Sequence, residues 1–101
     1  MALIKVLAKL NFLETSKRKT PFTSGYRPAF TFLNASTKLS GQITLLNKKY
    51  FNKGETAIVE IAFIKGIIND TYFKVGQKFH FAEEPNKIGD GEILQVLDQK
   101  E

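Results

Sequence analysis

Hydrophobic and polar residues alternate along most of this chain. Over Ala2–Leu13, Ile4, Val6, Ala8, Leu10 and Phe12 fall on one face, and Lys5, Lys9 and Asn11 share the other with Leu3 and Leu7. A period of two marks a half-buried strand, and the β-branched Ile4 and Val6 favour strand over helix. The same pattern predicts a strand over Ala29–Asn34, with Phe30 and Phe32 on one face. Another is predicted over Lys38–Leu45, where Leu39, Gly41, Ile43 and Leu45 oppose Lys38, Ser40, Gln42 and Thr44. Glu55–Lys65 is apolar on both faces except at Glu60, which predicts a largely buried strand. Thr71–Phe73 is expected to pair briefly. Lys78–Ala82 alternates Phe79 and Phe81 with Lys78 and His80, and Lys87–Leu97 closes the series.

The breaks between these runs are equally readable. Glu14–Pro28 has no sustained period and predicts a long loop. Pro21 and Pro28 hold Thr20 and Arg27 before them in extended geometry. Asn52-Lys53-Gly54 reads as a tight turn and Glu83-Glu84-Pro85-Asn86 as a hairpin connection. Gly41 leaves space or marks a bulge, and Gly89-Asp90-Gly91 allows a bulge or a bend at a barrel corner. No segment reads as a helix. Short strands at this spacing predict an all-β sandwich or barrel, and a barrel leaves no free edge. With 101 residues and no internal linker, one domain spans positions 1–101.

Charge changes the picture. Residues 1–53 hold ten Lys or Arg against one acid, Glu14, whereas residues 54–101 hold five Lys against nine acids. Two readings follow. The fold could carry a basic side that meets an anionic partner. Alternatively, the halves interleave in space and the charges mix.

Catalytic chemistry is not signalled. There is no cysteine, which excludes disulfides, thiolate chemistry and zinc sites built on Cys. Gly54 is followed by Glu55, not by the Lys-Ser/Thr of a phosphate-binding loop. His80, the single histidine, reads as a surface-facing strand residue. Asp90 and Glu92 share a strand face and read as solvated acids. The expectation is a chain that is not an enzyme, with no cofactor and no metal. The apolar start is interrupted by Lys5 and Lys9, and no apolar run approaches the ~20 residues of a membrane helix. No membrane role and a cytoplasmic location are therefore expected.

Binding is better supported. Lys17, Arg18, Lys19 and Arg27 flank a loop that also holds Phe22 and Tyr26. Cationic side chains attract phosphates, and aromatic faces can stack on bases. Lys38 adds charge and Ser40 a small hydroxyl of the kind used against RNA backbones. On the opposing reading, Phe22 and Tyr26 pin the loop onto the core and the lysines are merely solvated.

The motif Thr20-Pro21-Phe22, then Gly25-Tyr26-Arg27-Pro28, then Phe30 and Phe32, resembles the C-terminal β-barrel domain of translation elongation factor Tu. Ser40-Gly41 before Ile43, Asn52-Lys53-Gly54-Glu55 before a buried strand, and Ile88-Gly89-Asp90-Gly91 before Leu94 and Val96 continue it from about Lys5 to Leu97. The resemblance implies a six-stranded antiparallel closed β-barrel of Greek-key type with no catalysis of its own. It implies contacts to tRNA or other structured RNA, and to a GTPase or another translation protein. Arg18, Arg27 and Ser40 are the positions carried over, with Lys17, Lys19 and Lys38 beside them. The family's GTPase domain and middle barrel have no counterpart here, so a free-standing relative is expected. Ser16-Lys17-Arg18-Lys19 stands where the family has Gly-Gly-Arg-His, Ala29 replaces its Gln, and Ala82–Lys87 keeps only Glu83 of Arg-Glu-Gly-Gly-Arg-Thr. These changes favour the alternative, a protein-interaction module that docks on a separate GTPase or other protein without RNA.

Overall fold

A computed structural model describes residues 2–100. Its strands are β1 (Leu3–Phe12), β2 (Ala29–Phe32), β3 (Lys38–Leu45), β4 (Thr56–Ile64), β5 (Lys78–Glu83) and β6 (Asn86–Lys100). They form a closed antiparallel barrel in the order β1-β4-β3-β2-β5-β6. Strands β2, β3 and β4 are consecutive neighbours, and β1 lies beside β4 at the far end of a long connection. That is the Greek-key arrangement. Pairing of β1 with β6, from Phe12↔Gly89 to Leu3↔Lys100, closes the ring.

Period-two alternation becomes an inside and an outside. Ile4, Val6, Ala8, Leu10 and Phe12 point inward from β1, and all nine phenylalanines of the chain are buried. Their rings run as a file along the barrel. Phe51 stacks on Phe22, Phe22 meets Phe81 edge-on, and Phe81 leads through Phe30 and Phe63 to Phe32 and Phe73. Gly41 makes room for that file. A Cβ there would stand 2.9 Å from the Phe63 ring and 3.0 Å from Phe30.

Two expectations need correction. Strand β4 is buried on one face only: Val59, Ile61 and Phe63 are inside, while Ile58 is 51% exposed. A closed barrel has a single interior, so apolar residues facing outward have no second layer to cover them. Thr71–Phe73 does not pair as a strand. Asp70–Tyr72 forms a 3₁₀ turn, capped by the Asn69 side chain, which accepts a hydrogen bond from the Thr71 amide at 2.9 Å. The bulge expected around the glycines is found at Ile88, next to Gly89, and the register of β6 skips again at Leu94 and Leu97. Gly89 and Gly91 have a different task. A Cβ on Gly89 would collide with the Asn11 carbonyl, and one on Gly91 would lie 2.6 Å from the Lys9 carbonyl. Both glycines let β6 press against β1.

Candidate functional site

Alternating strand direction sends the β1–β2, β3–β4 and β5–β6 connections to one end of the barrel. That end gathers residues 13–28, residues 46–55 and the Glu84-Pro85 turn, whose peptide bond is cis. The segment around Phe22 lies across this end. Phe22 donates its amide to the Phe51 carbonyl at 3.1 Å and accepts from the Phe51 amide at 2.9 Å. Further on, the Gly25 amide donates to the Ile43 carbonyl, the Ile43 amide donates to the Tyr26 carbonyl, and the Ser24 hydroxyl accepts from the Leu45 amide. The loop thus folds back as an added pseudo-strand along β3. Phe22 is buried between Phe12 and Phe51 and stacks on Tyr26 at 4.5 Å. Both aromatics pin the loop to the core.

A second anchor is polar. Glu83, at the end of β5, accepts hydrogen bonds from the Arg18 guanidinium and the Tyr26 hydroxyl on the same carboxylate oxygen. Arg18 lies over the Tyr26 ring, 4.8 Å from its centroid, and also donates to the Thr20 and Pro21 carbonyls at 2.9 and 3.1 Å. Burial, reinforced by the Glu83 carboxylate, holds the Tyr26 phenol above its ordinary range.

The six candidate residues therefore have different surroundings. Arg18 is committed to Glu83 and the loop backbone. Lys38 pairs with Glu84 at 2.8 Å. Arg27 donates twice to the Gln42 side-chain oxygen, at 2.7 and 3.1 Å, and shares with Ser40 a cleft of about 210 Å³ floored by Leu3, Ala62 and Ile64. Lys17 and Lys19 are exposed and have no carboxylate partner among the described residues.

Charge is distributed by the strand order. Strand β4, from the acidic half, lies between β1 and β3, and β1 lies between β4 and β6. Ion pairs then cross the halves: Lys5–Glu60, Arg18–Glu83, Lys38–Glu84 and Lys48–Glu55. Interleaving, not a global basic side, describes this barrel. What survives neutralisation is local.

No protein-family model matches this chain.

A groove of about 390 Å³ lies on the wall formed by β1, β6 and β5. Its charges alternate. Glu92 stands opposite Lys9 on one side and Lys78 on the other. Asp90 accepts from the Asn11 side chain at 2.8 Å and lies 4.0 Å from Lys87. Exposed His80 lines the same wall. Mixed signs at such spacing suit no ligand of a single charge. The loop end is different, because Lys17 and Lys19 have no such counter-charges. Two features there had no sequence signal: Glu83 as the hub for Arg18 and Tyr26, and the meeting of Phe22 with Phe51. Both join residues far apart in the chain, and only the closed register brings them together.

Proposed function

We propose that this chain is a non-catalytic binding module, similar to the C-terminal barrel of elongation factor Tu, that contacts RNA through its basic loop end. The observation that carries this reading is the pair Lys17 and Lys19. Both are exposed and lack an anionic partner among the described residues, while Arg18, Lys38 and Lys48 are each paired with a glutamate. Arg18 supports them by fixing the loop. Arg27 and Ser40 offer a neighbouring contact for a sugar-phosphate backbone. A cytoplasmic role alongside translation components fits the resemblance.

The test is fluorescence anisotropy with a labelled RNA at several salt concentrations. The Lys17→Ala/Lys19→Ala variant is expected to bind more weakly, with a salt slope lower by about 1 per lysine removed. RNA affinity no better than that of a charge-matched unrelated protein sinks the reading. A second reading, a protein-docking module, is favoured by the commitment of Arg18 and Lys38 to Glu83 and Glu84. It predicts partners that persist in a pull-down after nuclease treatment.

A further inference from the structure

We infer that the β3–β4 connection completes the RNA surface, with Tyr50 as a stacking platform for an unpaired base and Lys49 and Lys53 as phosphate contacts beside Lys17 and Lys19. This rests on the RNA reading above and names the form of RNA that this end would take.

The bridge between Phe22 and Phe51 makes the case. Their backbones exchange hydrogen bonds in both directions as an antiparallel pair, and their rings stack on the inside at 5.0 Å with planes 18° apart. In extended chain, neighbours of an inward residue point outward. Pro21, Thr23, Tyr50 and Asn52 are accordingly all exposed. Antiparallel crossing then sets Thr23 beside Tyr50 and Thr20 towards Lys53. Two loops that are unrelated in sequence thereby present one surface.

Its unpaired charges are mostly cationic. Tyr50 is 48% exposed, and the Lys49 ammonium lies 5.7 Å from its ring centroid. Among the described residues, Lys17, Lys19, Lys49 and Lys53 have no carboxylate partner. Glu14, the acid of these loops besides Glu55, is exposed, with its side chain against Gly54. Lys48 is set apart by its bond to Glu55 at 2.8 Å and its position over Phe51. An exposed aromatic ring among uncompensated lysines is the arrangement that binds single strands, where cations track phosphates and bases stack with little sequence preference. Within a duplex the bases are already stacked and paired, so only the two end pairs could offer a face to Tyr50.

The experiment compares a labelled 12-nucleotide oligouridine with a blunt RNA duplex of equal length. Wild-type chain is expected to prefer the single strand. Tyr50→Ala should weaken that binding about tenfold, leave duplex binding and the unfolding midpoint unchanged, and be rescued by Tyr50→Phe. Lys49→Ala/Lys53→Ala should lower the salt slope. If these variants bind both probes as wild type does while Lys17→Ala/Lys19→Ala loses affinity, the inference falls and the RNA reading stands. A wild-type preference for the duplex also overturns it. Absence of wild-type binding to either probe removes the RNA reading itself, and this inference with it.

Discussion

The two longest connections, residues 13–28 and 65–77, do the same task at opposite ends of the barrel. Each folds a phenylalanine over the core. Phe22 closes one end against Phe12, Phe51 and Phe81; Phe73 closes the other against Phe32 and Phe63. Each is also tied by polar side chains, one of which makes two bonds. Glu83 holds Arg18 and Tyr26, and buried Gln77 donates to the Leu33 and Lys78 carbonyls at 3.2 and 2.8 Å. Their outer surfaces diverge. The first connection exposes Lys17 and Lys19; the second exposes Ile67 at 50% and Val75 at 68%. Closing a small barrel demands the inner residues of both loops and leaves the outer ones free. Function is therefore better sought in what the two loops do not share.

The equivalence of the two plugs can be broken by truncation. Phe22→Ala is expected to cost about 3–5 kcal/mol, the usual range for removing a buried ring. Phe73→Ala should fall at or below the lower end of that range, because Phe73 is 8% exposed and Phe22 only 2%. Urea unfolding of both variants decides the matter. A Phe73 variant that loses as much as the Phe22 variant would show the ends to be equally closed.

The polar ties should differ in kind. Gln77→Ala takes a buried donor from two carbonyls and should cost about 1–3 kcal/mol, independent of salt. Glu83→Ala removes a carboxylate whose side chain is 41% exposed, so about 1–2 kcal/mol is expected, shrinking as salt rises. Unfolding at low and high ionic strength separates them. A Glu83 effect that ignores salt would mean that the tie acts through hydrogen-bond geometry and not through charge.

How far this contrast could be read in advance varies by residue. The alternation in Lys38–Leu45 marks β3 to the residue, because a half-buried strand writes its two faces directly into sequence. Thr71–Phe73 misleads for the opposite reason. Its apolar Phe73 looks like a strand position, but the Asn69 cap turns the backbone and delivers the ring as a plug. Ile58 and Ile64 made β4 look buried on both sides, since composition does not tell a covered outer face from an open one. At the loop end, lysines 17 and 19 stood out as charge alone. Tyr50 did not, because its outward position depends on Phe51 pairing with Phe22. Likewise Glu83 and Glu84 read as turn residues until the barrel brought Arg18 and Lys38 to them.

The smallest expected effect tests the Glu83 tie through pH. Burial and the Glu83 carboxylate raise the Tyr26 pKa in the folded chain above its unfolded value near 10. The folded state then holds a proton that the unfolded state has lost, so this contribution is full below about pH 10 and is lost as pH rises from there towards the folded value. Tyr26→Phe has no phenol to titrate. Near neutral pH it should be less stable than wild type by about 1 kcal/mol, for the lost hydrogen bond. Above pH ~10 the gap should narrow, because unfolded wild type is stabilised by ionising its phenol while the folded phenol stays protonated, and Tyr26→Phe has no such group. Urea midpoints of both chains at pH 7, 9 and 10.5 give the comparison. A constant gap would mean that neither burial nor Glu83 raises the phenol's pKa, and the first connection would then rest on its aromatic plug, its backbone bonds to Phe51 and Ile43, and the Arg18–Glu83 pair.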